Sequence, residues 1–206
     1  MARTIDYYFT LVSPWAYLGH RVLVDLARRH GAAIAYHPVS PGTVFPQSGG
    51  LPLAQRHPLR QRYRAMELQR WRDKRGLRFH LQPKHWPFDP TLPDCVAQTL
   101  AAGGADVETF LPRAFSAVFE DERDLTDPET LRVLLRDGGH DADAVLAAAQ
   151  TEEARQAYAD AARRALEAGM FGFPSYVLDG EVFWGQDRLE LLDDALTSGR
   201  PPYKPF

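Results

Sequence analysis

The sequence predicts an α/β fold in which a βαβ opening and a ββα close are separated by a long all-helical stretch. Three observations predict it. Runs rich in β-branched and aromatic residues fall only near the two ends, at 4–9, 32–39 and 174–186. Between them, from about residue 40 to 169, a loop rich in Pro and Gly leads into a series of helical patterns with no convincing strand. Near the end, Asp179-Gly180 sits between two strand-like runs, the strongest two-residue hairpin signal.

In chain order, "TIDYYF" (4–9) reads as the first strand. From Pro14 to His30 the residues Trp15, Leu18, Val22 and Leu26 recur at helical spacing, with Tyr17 and Val24 alongside. Ser13 suits the N-cap, Pro14 the first helical position and Gly31 the residue past the end. "AAIAYHPV" (32–39) is the second strand, and "SPGTVFPQSGG" (40–50) a loop. Thr126 is expected to cap a helix, with Pro128 early and Glu129 completing a capping box. "TEEARQAYADAARRALEAG" (151–169) is an Ala-rich helix ending on Gly169. After the hairpin, "DRLELLDDAL" (187–196) closes the chain as a helix, with Asp187 as its expected N-cap. This order is the plan of a thioredoxin-like fold, with residues 1–39 and 170–206 forming the α/β domain and 40–169 a helical insertion subdomain.

Composition narrows the function classes. Of 206 residues, 45% are hydrophobic and 25% charged, enough for one well-cored globular unit, and the formal charge of −3 gives no global signal for nucleic acid or a membrane surface. No apolar run approaches the roughly 20 residues of a bilayer span, and the start of the chain shows no apolar segment of signal-peptide length. The expectation is a soluble, cytoplasmic protein. Cys95, the single cysteine, rules out an internal disulfide framework. The seven histidines show no metal-ligand spacing, and no metal is expected.

The two ends of the chain carry a sharper signal. "DYYFTLVSPWAYLGHRVL" near the start and "FGFPSYVLDGEVFWGQDRLELL" near the end resemble the 2-hydroxychromene-2-carboxylate isomerases, relatives of the kappa-class glutathione transferases and of the DsbA-like thioredoxin fold. "ELQRW" (67–71) adds a weaker match inside the helical region. Redox relatives keep a pair of cysteines where this chain has Ser13 and Ala16. The resemblance implies that the thiol comes from bound glutathione and that Ser13 orients and ionises it. A free thiol with a pKa near ~8.5 is only a few per cent thiolate at neutral pH. Lowering that pKa by ~2 units requires roughly 2.7 kcal/mol, within reach of a charge-assisted hydrogen bond and a helix N-terminus.

The resemblance also implies that Pro174 is cis, so that Phe173 N–H and C=O pair with the cysteinyl backbone of glutathione as an added strand. Trp184, Gly185, Gln186 and Asp187 would border the γ-glutamyl end. Asp187 would answer its ammonium, while Gln186 and the backbone answer its carboxylate; Arg188 contributes or is simply a surface residue. From the residues alone, Ser13 and Asp187 also read as ordinary helix caps, and Pro174 as a trans proline opening an edge strand.

On the substrate side the carry-over is looser. The segment 56–85 is locally basic. Its first reading is a solvated helix face with Leu59, Tyr63, Met66 and Trp71 toward the core; its second is a mouth where an arginine binds a substrate carboxylate. Nothing in it resembles a nucleic-acid motif. The family's Asn-Arg substrate pair matches Gln55 and Arg56, and its aromatic hydroxyl falls at His85 or Trp86. A lysine of the relatives is replaced near Phe45.

The function implied is a glutathione-dependent isomerase of an aromatic or otherwise conjugated carboxylate. In it, a thiolate adds to the conjugated carbon, the former double bond rotates, and the thiolate leaves. The alternatives are a kappa-like glutathione transferase and a non-enzymatic thioredoxin-fold protein that binds a peptide beside Pro174. A homodimer is compatible with the resemblance, although no sequence feature requires it.

Overall fold

The computed structural model describes residues 3–204. Four strands form one sheet in the order β2-β1-β3-β4: β1 (Thr4–Phe9), β2 (Ala33–Pro38), β3 (Ser175–Leu178) and β4 (Glu181–Trp184). β1 runs parallel to β2 and antiparallel to β3, and β3 antiparallel to β4. The parallel pair requires the crossover helix α1 (Pro14–His30), whereas β3 and β4 need only a tight turn. Asp179 (φ 53°) and Gly180 (φ 86°) supply it, both with the positive φ that a type I′ hairpin demands.

Period-two alternation in β1 splits the core between the two faces of the sheet. Ile5, Tyr7 and Phe9 face one side, where they join α1, α5 (Leu111–Phe119) and α9 (Leu189–Ser198). Tyr8 faces the other, with Val177 and the Ala161, Ala162, Ala165 stripe of α8 (Glu152–Glu167). Helices α2 (Pro41–Ser48), α3 (Pro58–Lys74), α4 (Thr91–Ala102), α6 (Pro128–Asp137) and α7 (Ala142–Ala149) complete the run between β2 and β3. We propose that 1–39 with 170–206 and the intervening 40–169 are the two units of the chain. Helix α8 ties them together, since it lies within the insertion yet covers the sheet.

Four local expectations change. The Pro/Gly-rich stretch after β2 holds the two-turn helix α2, because Pro41 occupies its first turn, Gly49 (φ 74°) ends it and Val44 is fully buried. The cap of α6 is Asp127, not Thr126: Pro128 fixes the helical register, Asp127 accepts from Glu129 N–H, and Thr126 turns back onto Asp124. On α3, Leu59, Tyr63 and Met66 are exposed; Leu68 alone is buried there, and Trp71 is half-buried. The arginines sit on so many faces of α3 that no continuous apolar stripe can form. Finally, Asp187 lies inside a 3₁₀ turn, Gln186–Arg188, closed by Arg188 N–H donating to Gly185 O (3.0 Å). The cap position of α9 falls on Arg188 and has no side-chain hydrogen bond.

Among the described residues no helix is long and apolar enough to cross a membrane, and no group of three or more His, Cys, Asp or Glu is placed to hold a metal ion.

Candidate functional site

The four residues between β1 and α1 carry Ser13. Ser13 N–H donates to Thr10 O (3.1 Å), a tight turn that lifts the chain from the sheet into the helix. The Ser13 side chain caps α1 by accepting from Ala16 N–H at 3.3 Å. Its Oγ is used as an acceptor, so the hydroxyl proton is left to donate. The first turn of α1 holds no acidic residue, while Arg28, Arg29 and His30 occupy the last turn. The positive end of the helix dipole therefore meets Ser13 with no carboxylate of α1's own first turn to neutralise it.

A buried acid braces this loop from below. Asp94 of α4 is fully buried, accepts from Leu11 N–H (2.9 Å) and from Tyr158 OH (2.8 Å), and burial pushes its carboxyl up to about 7. The sequence shows only an aspartate in an apolar-flanked helix, and nothing in "PDCVAQTL" marks it as a loop anchor.

Sheet register brings the second half of the site alongside. Tyr8 stands opposite Ser175, so the residues after β1 and those before β3 emerge at the same end of the sheet. There the Phe173–Pro174 bond is cis, and Pro174 O accepts from Gly185 N–H (2.9 Å). Neither the N–H nor the C=O of Phe173 has a hydrogen-bond partner among the described residues. The Phe173 ring packs on Phe45 of α2, with centroids 5.6 Å apart, and Ser48 Oγ of that helix bonds Phe171 O (3.1 Å). Phe45 is thus brought beside Phe173 as an aromatic wall.

The 184–188 segment departs from expectation in part. Trp184 is 50% exposed and packs on Phe171 (4.8 Å). Gly185 has φ 104°, and a Cβ there would lie 2.5 Å from Asp187 Oδ1, so only glycine lets that carboxylate fold back over the turn. Asp187 pairs with the exposed Arg188. Gln186, expected at a ligand carboxylate, is 2% exposed and its side-chain oxygen is held by the Arg75 guanidinium. Arg75 is itself half-buried and stacked over Trp71 at 5.1 Å. One arginine in a run of many, Arg75 carries no sequence mark of this role.

Of the substrate-side residues, Trp86 is adjacent to Ser13: its indole N–H donates to Val12 O (2.8 Å). The Arg64 guanidinium lies over the Trp86 ring at 5.2 Å, and Arg56 lies over Phe45 at 5.9 Å. His85 turns away to Asp124 (3.7 Å), and Gln55 is an exposed member of a short 3₁₀ turn, Leu53–Gln55. Sequence reasoning missed Arg64; among Arg56, Arg60, Arg62 and Arg64, nothing linear singles it out.

Cys95 offers no alternative sulfur chemistry. It is buried, and burial beside Asp94 pushes its thiol up to about 11.

A sheet of this order, with the α1 N-terminus and a cis-proline at one end of it, defines a thioredoxin-fold protein of the DsbA type. The family model described as "DSBA-like thioredoxin domain" matches residues 4–197. A 2-hydroxychromene-2-carboxylate isomerase of Sphingobium xenophagum is 31% identical over 198 residues, 95% of this chain and 99% of that protein. One of Pseudomonas putida is 27% identical and covers 93% of each. A solved structure of a 2-hydroxychromene-2-carboxylate isomerase superposes with a TM-score of 0.83 at 23% identity, covering 95% of both chains. The cytosolic disulfide reductase DsbM from Pseudomonas aeruginosa, solved with GSH, has a TM-score of 0.65 at 19% identity, with 94% of this chain and 99% of that one covered. The chain belongs to the 2-hydroxychromene-2-carboxylate isomerase family within the DsbA-like thioredoxin fold.

Proposed function

We propose that this chain is a glutathione-dependent isomerase of a conjugated aromatic keto acid, of the 2-hydroxychromene-2-carboxylate type. The observation that carries the reading is Ser13, whose Oγ accepts Ala16 N–H and leaves a hydroxyl proton at the positive end of α1. The residues present fit glutathione at its cysteinyl end, because Phe173 has an unpartnered N–H and C=O beside the cis-proline. When bound, glutathione supplies the thiol nucleophile that Ser13 and Ala16 do not.

Each residue then has one task. Ser13 donates to the sulfur and, with the helix terminus, holds it as an anion. Phe173 aligns the cysteinyl backbone by strand-like pairing. Asp187 answers the ammonium, exchanging Arg188 for it. Gln186 positions the 3₁₀ turn through Arg75 instead of touching the ligand. Arg56 binds the substrate carboxylate, and Phe45 and Trp86 offer apolar faces to an aromatic ring and keep water from the sulfur. The same reading puts the enzyme in the cytoplasm, where glutathione is kept reduced, and allows a homodimer.

Titration of the ultraviolet thiolate absorbance of glutathione on the protein tests this. Bound glutathione should ionise about 1–2 pH units below the free thiol, and Ser13→Ala should return most of that difference. No binding at millimolar glutathione, or a thiol unaffected by Ser13→Ala, defeats the proposal.

A further inference from the structure

Arg56, just ahead of α3, and Arg64, on α3, each stand over an aromatic ring beside the Ser13 and Phe173 segments, and neither meets a carboxylate among the described residues. Arg56 and Arg64 form no ion pair among the described residues. Arg64 also has no side-chain hydrogen bond there, whereas Arg56 donates from Nε to Leu51 O (2.8 Å). Burial lowers both arginines from their ordinary value, and Arg64 is pushed to about 10 with the Arg56 charge as a second cause. Two partly buried like charges with no counterion are costly unless something else neutralises them.

The two groups stand on separate aromatic platforms. Arg56 lies over Phe45, which touches Phe173; Arg64 lies over Trp86, whose indole N–H is tied to Val12 O next to Ser13. We propose that Arg64 is a second anion-recognition residue beside Arg56, and that the substrate of this site is a conjugated keto acid carrying a second carboxylate. Because each guanidinium stands over its own ring, Arg56 at 5.9 Å from Phe45 and Arg64 at 5.2 Å from Trp86, each can offer its fork to a different carboxylate. A dianion neutralises both charges, whereas a monoacid leaves one without a partner. The idea rests on the reading that the ligand site lies between Ser13 and α3.

Calorimetry with two unreactive probes, cinnamate and 4-carboxycinnamate, tests it on the whole chain. The dianion should bind about tenfold or more tightly than the monoanion, as one additional charged hydrogen-bonding pair implies. Arg64→Met, which keeps an apolar stem over Trp86, should reduce that ratio to about one while leaving cinnamate affinity within about twofold. Arg64→Lys should retain part of the preference, since it keeps the charge without the fork. Equal affinity of the two probes for the unaltered protein, or a preference that survives Arg64→Met, overturns the proposal and leaves the Arg64 stack a structural contact. Glutathione titration separates this failure from that of the function above. Dianion preference without glutathione binding removes the isomerase reading only, and glutathione binding without the preference removes the second carboxylate only.

Discussion

Replacing Asp94 with asparagine removes a titrating group from beneath the loop that holds Ser13. In the folded chain the carboxyl is fully buried and pushed up to about 7; in the unfolded chain it returns to its ordinary value of 3.8. Between those limits the unfolded state releases a proton that the folded state keeps. Folding stability must therefore fall as pH rises through this window, by about 1.4 kcal/mol for every pH unit and roughly 4 kcal/mol in all. Below about pH 4 both states are protonated and the penalty vanishes; above about pH 7 both are ionised and it stays constant. The asparagine side chain cannot titrate, yet its oxygen can still accept from Leu11 N–H and its amide can donate to the Tyr158 oxygen. Urea unfolding of the original protein and of Asp94→Asn, run in parallel from pH 4 to pH 8, reads the difference directly. The stability of the original relative to Asp94→Asn should drop across the range, so that the variant equals or exceeds it at the alkaline end. A relative stability that is flat, or that rises with pH, shows the carboxyl ionised in the fold and refutes the account. Asp94→Ala separates charge from anchoring: it removes the same titration but leaves Leu11 N–H and Tyr158 OH without their partner, so it should lie about 2–4 kcal/mol below Asp94→Asn at every pH.

Two other substitutions follow from the geometry. A Cβ on Gly19 would lie 2.6 Å from Tyr176 OH and 2.9 Å from Gln186 Cβ, so Gly19→Ala must push α1 away from β3 and the Gln186 turn. Overpacking of about 1–3 kcal/mol outweighs the gain in helix propensity of about 1 kcal/mol, and thermal unfolding should show a lower Tm; a higher Tm refutes the close approach. Trp86→Phe removes the indole N–H that meets Val12 O. It should cost about 1 kcal/mol of stability and raise the pKa of bound glutathione as the Ser13 loop loosens, and an unchanged titration would show that the loop does not depend on that bond.

How much of this was legible in the sequence depended on range. β1, α1 and the hairpin follow from local chemistry: alternation, a Ser-Pro start, a Gly past the end, and an Asp-Gly turn whose left-handed φ values few other pairs tolerate. Ser13, Phe173, Pro174 and Trp86 could be named because their neighbours in the chain are distinctive, and the structure gathers them at one end of the sheet. The misses have two causes. Whether Asp127 or Thr126 caps α6 and whether Asp187 opens a helix or sits within a 3₁₀ turn are choices between neighbouring residues that local chemistry allows equally, whereas whether Gln186 faces a ligand or Arg75 is settled by a contact far away in sequence. Arg75 and Gln186 are 111 positions apart, and Asp94 and Leu11 are 83. No local pattern encodes pairings of that length.

The same distinction explains how a site for sulfur chemistry can persist without sulfur. What the fold supplies is a helix N-terminus with no acid in its first turn and a cis-proline with an unpartnered residue before it, both features of backbone. Neither requires a cysteine at position 13. A serine there keeps the cap through Ala16 N–H and contributes a donor in place of a nucleophile, so the thiol can be carried by a ligand that binds and leaves. Specificity is then free to change on α2, α3 and the Trp86 loop, which pack around the site without forming its backbone. Phe45 and Arg64 lie in these elements, and Arg56 just ahead of α3. Divergence of substrate within this family should therefore show first in α2 and α3, with the β1–α1 turn and the residues before β3 unaltered.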